Sequence, residues 1–180
     1  MNKLPELGAL VLACTALLTP SAAAQWKDWD YDLDQEKKPW SEMQTQLPPY
    51  PKPENLLKFD TGSNIGHDFF LDTASLSVGA DKAVRYTLVV KTSGGATNVS
   101  FEGVRCEDRQ YRVYAFGHAN AQWSRARNAG WREIVVREVN GHHNVLYRKY
   151  LCSQTRIREA QSVKEIVASI KRGGQLAPGE

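Results

Sequence analysis

The alternation of apolar and polar residues is most regular between Ser75 and Cys106. Successive side chains of a β-strand point to opposite faces, so strict alternation predicts a strand with one apolar face. The apolar positions of this central strand are Val84, Tyr86, Leu88 and Val90. Ala74, Leu76 and Val78 alternate before it, which predicts a preceding strand. The stretch as a whole predicts a twisted antiparallel sheet.

Two glycines, Gly94 and Gly95, predict a hairpin turn after the central strand. Glycine tolerates the positive φ angles that a two-residue type I′ turn requires, and such turns join antiparallel strands closely. A turn of this length also sets which residues face each other. Under this prediction the apolar partners match: Val90 pairs with Val99, and Leu88 pairs with Phe101.

The same register places Glu102 opposite Thr87 on the polar face, diagonal to Arg85. Arg85 and Glu102 are then expected to form a surface cross-strand pair, worth a few tenths of a kcal/mol. Beyond Phe101 the apolar residues shift from odd-numbered to even-numbered positions, at Val104 and Cys106. A β-bulge at Gly103 is therefore predicted, since it restores the phase.

The rest of the chain predicts further short strands and two helical segments. The strands are Leu56–Asp60, a segment beginning at Phe69, Tyr111–Gly117, Gln122–Arg127 and Trp131–Val136. The helical segments are His142–Leu151 and an amphipathic helix marked by Val163, Ile166, Val167 and Ile170, with Gly173 as its C-cap. We therefore expect an α+β fold, in which a twisted antiparallel meander sheet packs against one or two C-terminal helices. The last helix is expected to cover one sheet face formed by Tyr86, Leu88, Val90, Val99 and Phe101.

The N-terminal region predicts export. Residues 1–24 have the pattern of a secretory signal peptide, with a basic start, an apolar run of about 12 residues and a cleavage site between Ala24 and Gln25. That run is too short for a transmembrane helix, which needs ~20 residues. The expected location is the periplasm, and the alternative is a lipid anchor on Cys14.

Four segments are expected along the chain. The signal peptide is followed by an acidic, aromatic arm with a proline-rich linker (25–55), a single α+β domain (56–172) and a tail (173–180). Prolines in the linker exclude helix and disfavour sheet pairing, which is typical of a stiff spacer.

Cleavage would leave two cysteines, Cys106 and Cys152. In an oxidising compartment such a pair most simply forms a disulfide, and the alternative is two separate buried thiols. In the chain-entropy model a loop of this length contributes roughly 4 kcal/mol.

The sequence contains no recognisable catalytic or cofactor-binding motif. Charged residues make up 24% of the chain and the net charge is +3, which is ordinary for a globular protein. No motif of the serine-hydrolase, zinc-protease or nucleotide-binding classes occurs, so no catalytic residue, metal or cofactor is predicted. His142 and His143 are adjacent and are expected to project in different directions, which makes a poor zinc pair. A site built by folding from His67, His118 and Asp81 stays open as an alternative.

Three stretches carry a resemblance to a known family: SLSVGADKAVRYTLVV, NVSFEGVRC and VLYRKYLC. Together they resemble the cryptic neisserial protein-like family of bacterial envelope proteins, over roughly Leu56 to Cys152. A weaker similarity includes Trp123 and Trp131. The resemblance implies an exported bacterial protein and supports the pairing of the two cysteines, but it implies no activity, substrate or catalytic residue.

Three hypotheses for function follow. The first is a non-enzymatic envelope protein that binds an envelope protein or a cell-wall component through its sheet face or acidic arm. A candidate surface patch for this binding comprises Arg85, Glu102, Arg125 and Arg127. The second is a small periplasmic hydrolase, which would need His67 or His118 beside a carboxylate in a pocket.

The third hypothesis is a polyanion-binding protein, because residues 56–180 hold eighteen basic and twelve acidic residues. Its basic residues would be Arg125, Arg127, Arg132, Arg137, Arg148 and Lys149. Binding of nucleic acid is not expected without aromatic residues between them.

Overall fold

The structure is a computed structural model that describes residues 39–62, 66–136, 141–153, 155–156 and 159–173. The predictions for the signal peptide, its cleavage site at Ala24 and Gln25, the lipid anchor on Cys14 and most of the tail fall outside these residues. They stay predictions. The described residues all belong to one compact unit, Pro39–Glu180.

An antiparallel meander sheet is the main feature of the described residues. Its strands follow one another in space as in sequence from β1 to β6, and β7 pairs with β5. The strands are β1 (Leu56–Phe59), β2 (His67–Val78), β3 (Ala83–Thr92), β4 (Thr97–Arg105), β5 (Gln110–Gly117), β6 (Trp123–Arg125) and β7 (Arg132–Glu133). The predicted antiparallel meander is confirmed.

Helical segments follow the sheet, as predicted. A short helix α1 (His142–Val145) continues directly into a π-helical segment (Leu146–Leu151), and α2 spans Val163–Lys171. Helix α2 begins with a capping box, in which Ser162 and Glu165 exchange side-chain and backbone hydrogen bonds. The helix ends at Lys171 and is followed by Arg172 and Gly173. Gly173 has a φ of 70° and donates a hydrogen bond to the Ile170 carbonyl, as expected of the glycine that closes a helix.

One face of the sheet, here called the helix face, carries the main hydrophobic core. Tyr86, Leu88 and Val104 of the sheet share this core with Ile166 and Ile170 of α2, and all five side chains are buried. Each amphipathic element thereby buries its apolar side against another, which is the basis of a two-layer fold.

The hairpin between β3 and β4 differs from the prediction. Its loop has three residues, Ser93 to Gly95, closed by a hydrogen bond from the Gly95 N–H to the Thr92 carbonyl. Gly95 has a φ of 84°, which a three-residue loop with a terminal bulge requires. The pairing is consequently shifted by one residue: Val89 faces Val99, Thr87 faces Phe101, and Tyr86 faces Glu102.

A shift of one residue turns every side chain of a strand to the opposite face. Val99 and Phe101 therefore do not share the helix face with Leu88, and that part of the core prediction is wrong. Phe101 packs instead with Tyr114 and Ala115 in a smaller cluster on the other side of the sheet.

The predicted bulge at Gly103 is also wrong, because Glu102, Val104 and Cys106 continue one unbroken alternation. The irregularity lies in β5, where Phe101 faces Ala115 but Glu102 faces Val113, so Tyr114 is the extra residue. Gly103 serves another purpose. A Cβ atom there would lie 2.8 Å from the Tyr114 hydroxyl oxygen, so the small residue makes room for that ring.

The second face of the sheet is covered by residues 39–52, here called the strap, which lack regular secondary structure. The Trp40 indole N–H donates to the Asp81 carbonyl at 2.9 Å, and the Trp123 indole N–H donates to the Pro48 carbonyl at 3.0 Å. Leu47 packs on the small cluster around Phe101. The sequence predicts an arm and a spacer here, whereas in the structure these residues form a layer of the fold.

Cys106 and Cys152 form a disulfide, with their Cα atoms 5.6 Å apart and a sequence separation of 46. The bond joins the residue after β4 to the residue after the π-helical segment. It confirms the predicted pairing and ties the helical layer to the sheet.

Candidate functional site

A buried carboxylate lies in the middle of the helix face. The Glu102 side chain accepts hydrogen bonds from the Ser100 hydroxyl at 2.6 Å and the Tyr86 hydroxyl at 3.1 Å. The Nε2 atom of His143, in α1, lies 2.9 Å from the same carboxylate. Glu102 is only 3% exposed. A buried charge of this kind is costly unless it is fully hydrogen-bonded, and these three partners meet that need.

The two adjacent histidines meet at this carboxylate. Their ring centroids are 4.1 Å apart, and His143 also stacks on Tyr111 with centroids 3.9 Å apart. Glu102, His142 and His143 each offer a ligand atom, and these atoms lie within 4.8 Å of one another. The expectation that the two histidine side chains project away from each other is therefore wrong. We call these three residues the Glu–His cluster.

Burial and neighbouring charges together set the pKa values of Glu102 and His142. Burial raises the pKa of Glu102, but the charge and hydrogen bond of His143 outweigh this effect and lower the pKa overall. Burial lowers the pKa of His142 to about 4, with a further contribution from His143. His142 is therefore neutral near pH 7, with an available lone pair.

The predicted surface pair of Arg85 and Glu102 is wrong, because both side chains are buried on opposite faces of the sheet. Arg85 lies beneath the strap, where its guanidinium binds Asp81 at 2.6 Å and Thr45 at 2.9 Å. Burial raises the pKa of Asp81, but hydrogen bonds from Arg85 and the Met43 N–H outweigh it and hold the pKa at about 2.

Glu42 is the main polar anchor of the strap. Its carboxylate accepts hydrogen bonds from the Tyr114 hydroxyl at 2.7 Å and the Trp131 indole at 3.3 Å, and it forms an ion pair with Arg112. Nearby, the guanidinium of Arg105 stacks on Trp40 at 3.7 Å from the ring centroid. These contacts close the second face over Tyr114 and Trp131.

An open groove of about 400 Å³ lies beside β5 and β6. It is lined by Val113, Phe116, Ser124, Arg125, Ala126, Arg127, Asn128 and Arg132. Val113 and Phe116 are the cross-strand partners of Glu102 and Ser100, so the groove begins one strand away from the Glu–His cluster. We call this feature the arginine groove.

Two of the four predicted patch residues line the arginine groove, namely Arg125 and Arg127, and Arg132 joins them. All three arginines are exposed. The guanidinium of Arg132 stands 5.2 Å above the centroid of Tyr111. Arg148 and Lys149 belong to the π-helical segment and do not line the groove, while Arg137 is outside the described residues. The basic residues of the third hypothesis thus do not all share one face.

The alternative site that would combine His67, His118 and Asp81 is not assembled. His67 opens β2 and His118 follows β5, so β3 and β4 separate them by roughly 14 Å at ordinary strand spacing. Asp81 lies in the turn between β2 and β3, at the other end of the sheet. His118 Nε2 is 2.8 Å from the Ser124 hydroxyl, but among the described residues no carboxylate contacts this histidine.

Sequence reasoning missed the Glu–His cluster because it rested on the wrong hairpin register. One signal was present: Glu102 is an acidic residue in an otherwise apolar alternation with Val104 and Cys106. A charge at an inward position predicts either a paired core charge or a site. The strap contacts, made between residues 38 to 89 positions apart, carried no comparable signal.

The fold and its sites define a class: an α+β protein with an unclosed antiparallel sheet, two C-terminal helices and one disulfide. No helix in the described residues has the length and apolar character needed to cross a bilayer. The chain belongs to the CNP1-like family, whose model matches residues 35–171.

One curated relative is Cryptic neisserial protein 1 of Neisseria gonorrhoeae, which is 27% identical over 110 residues. The match covers 53% of this chain, and the chain spans 54% of the length of that relative. No solved structure gives a significant match.

Proposed function

We propose that this protein is an exported, non-enzymatic binding module that takes an anionic component of the cell envelope in the arginine groove. The ligand would carry carboxylate or phosphate groups, because guanidinium groups bind both with paired hydrogen bonds. The single observation behind the proposal is the convergence of Arg125, Arg127 and Arg132 on one open groove.

The electrostatics of the groove support this choice. No carboxylate of the described residues lies within ion-pair distance of these three guanidinium groups, whereas Arg85 and Arg112 are neutralised by Asp81 and Glu42. An exposed cluster of unneutralised cations attracts anions and makes binding dependent on salt. The strap covers the second face of the sheet, whereas the groove lies open on the helix face beside β5 and β6.

Export is supported by the pattern of residues 1–24 and by the chemistry of the disulfide. A bond between Cys106 and Cys152 persists most readily in an oxidising compartment. Phe116 is the one exposed aromatic residue among those that line the groove. A single-stranded nucleic acid could therefore stack only one base there. An acidic polysaccharide or a phosphate-rich polymer fits the groove better.

The proposal is tested by titrating the purified protein with two probes, polygalacturonate and inorganic polyphosphate, by calorimetry at 50 and 200 mM salt. Replacing Arg125, Arg127 and Arg132 together by Gln should weaken binding at least tenfold. The matched control replaces Lys52, Lys149 and Lys164 by Gln, which removes the same charge from exposed positions elsewhere. Equal weakening in both variants would mean that only net charge matters, and unchanged binding in the arginine variant would exclude the groove. The preferred probe distinguishes carboxylate from phosphate ligands.

A further inference from the structure

We propose that Glu102, His142 and His143 bind a divalent transition-metal ion, with Zn²⁺ as the representative ion. This site is separate from the arginine groove and does not depend on the proposal for it. It has three protein ligands from two elements, β4 and α1, that the fold brings together on the helix face.

The spacing of the three residues suits a metal ion. One ligand atom from each lies within 4.8 Å of the others. Zinc bonds of about 2.0–2.1 Å in a tetrahedral arrangement hold ligand atoms about 3.3 Å apart. His143 Nε2 and Glu102 are 2.9 Å apart, so this pair would separate by only a few tenths of an ångström.

The donor atoms select the kind of metal. Two imidazole nitrogens and one carboxylate oxygen suit zinc and its neighbours in the first transition series. Calcium and magnesium prefer sites made of oxygen ligands, so this set disfavours them. Three protein ligands leave the fourth tetrahedral position open to water or to another ligand.

The surroundings hold the ligands in place. The hydroxyl groups of Tyr86 and Ser100 donate to Glu102, and Tyr111 stacks on the ring of His143. Hydrogen bonds to ligating carboxylates are typical of metal sites, where they fix the orientation of the ligand. The second histidine of the cluster takes no part in these hydrogen bonds, so the carboxylate is satisfied without it.

His142 is that second histidine, and it is the accessible member of the cluster. It is half-buried, whereas Glu102 and His143 are buried. The imidazole ring of His142 contacts the rings of Phe69 and His143. Within the described part of the chain, this side chain makes no hydrogen bond. Its imidazole can therefore turn towards a metal without breaking a polar contact.

Each ligand binds the metal through a lone pair. Both imidazole rings offer one ring nitrogen, and Glu102 offers a carboxylate oxygen. A hydrogen held between His143 Nε2 and Glu102 leaves Nε2 on binding, either to Nδ1 of the same ring or to solvent. No electron is transferred.

The test is calorimetric titration of Zn²⁺ into the protein, purified without a histidine tag and freed of metal with a chelator. We expect one site of micromolar affinity or tighter. Mg²⁺ and Ca²⁺ should neither bind at equal concentration nor compete with Zn²⁺.

His142→Ala is the decisive variant, because this side chain has no hydrogen bond in the described residues and its loss should leave the fold intact. Zinc affinity should fall at least tenfold, while His67→Ala and His118→Ala should keep it. His142→Cys should restore binding, since a thiolate is also a zinc ligand. Absence of a one-to-one site in the native protein, unchanged affinity in His142→Ala, or equal loss in His67→Ala would each overturn the proposal.

Discussion

The hydroxyl group of Tyr86 donates a hydrogen bond to the carboxylate of Glu102, directly across the β3–β4 pairing and beneath the helical layer. Both side chains are buried. Burial raises the pKa of Tyr86 well above its usual value, and the neighbouring charge of Glu102 adds to the effect. Tyr86 therefore keeps its proton and remains a donor to the carboxylate throughout the neutral range.

Replacing Glu102 by Ala should destabilise the protein by about 3–5 kcal/mol. The variant leaves the buried side chains of His143 and Tyr86, and the half-buried hydroxyl group of Ser100, without their common partner. Urea unfolding followed by far-UV circular dichroism measures the loss. Glu107→Ala, which removes an exposed carboxylate, is the control and should stay within about 0.5 kcal/mol of the native protein. A similar result for both variants would mean that Glu102 is not in the core.

Replacing Cys106 and Cys152 together by Ser should lower the free energy of unfolding by about 4 kcal/mol, because the disulfide restricts the unfolded chain. The far-UV spectrum should be retained at low denaturant, since the sheet hydrogen bonds do not depend on the bond. The two single variants should show the same loss as the double variant. If both cysteines of the native protein react with a thiol reagent before any reduction, the disulfide is absent and the prediction is wrong.

Stability should fall in acid partly through Asp81. Its pKa is about 2 in the folded protein, below its usual value of 3.8, so the folded state binds fewer protons than the unfolded state. The contribution is complete above about pH 5 and is lost as the pH falls through 4 towards 2. The shift corresponds to about 2 kcal/mol. Asp81→Asn should remove this part of the pH dependence in urea melts from pH 2 to 6.

The matched control for that experiment is Asp68→Asn. Asp68 forms an ion pair with Lys58, but both side chains are more than half exposed, so its effect should be small. Identical acid profiles for the native protein and Asp81→Asn would show that the buried pair with Arg85 does not contribute.

Removing the anchor of the strap should loosen residues 39–52. Glu42→Ala leaves Arg112, Tyr114 and Trp131 without their common acceptor, and the expected cost is about 1–3 kcal/mol. Limited proteolysis should then cleave the strap faster than in the native protein. Glu54→Ala, an exposed change of the same kind, should leave the cleavage rate unchanged. If Glu42→Ala also leaves it unchanged, Glu42 does not hold the strap.

The sequence predicted those parts of the fold that depend on local pattern. The alternation in β3, the amphipathic stripe of α2 and the C-cap at Gly173 are all local signals, and each agrees with the structure. The disulfide was predictable because processing at Ala24 would leave only two cysteines. The fold class followed from these elements together.

What could not be predicted depends on choices between similar local conformations. Ser93, Gly94 and Gly95 are compatible with both a two-residue and a three-residue loop, and glycine satisfies either. That choice decides the register, and the register decides that Glu102 is buried beside His143. The strap was missed because its stability comes from distant partners of Glu42 rather than from its own sequence.

The length of the hairpin loop can change without changing the core. Residues paired across an antiparallel ladder lie on the same face, so deleting Gly94 would leave a two-residue loop between Thr92 and Ala96 and would keep Glu102 opposite Tyr86. The two faces of β4 exchange only if the strand itself slips by one residue against β3. The core and the Glu–His cluster therefore depend on which residues of the two strands pair, and not on how many residues join them.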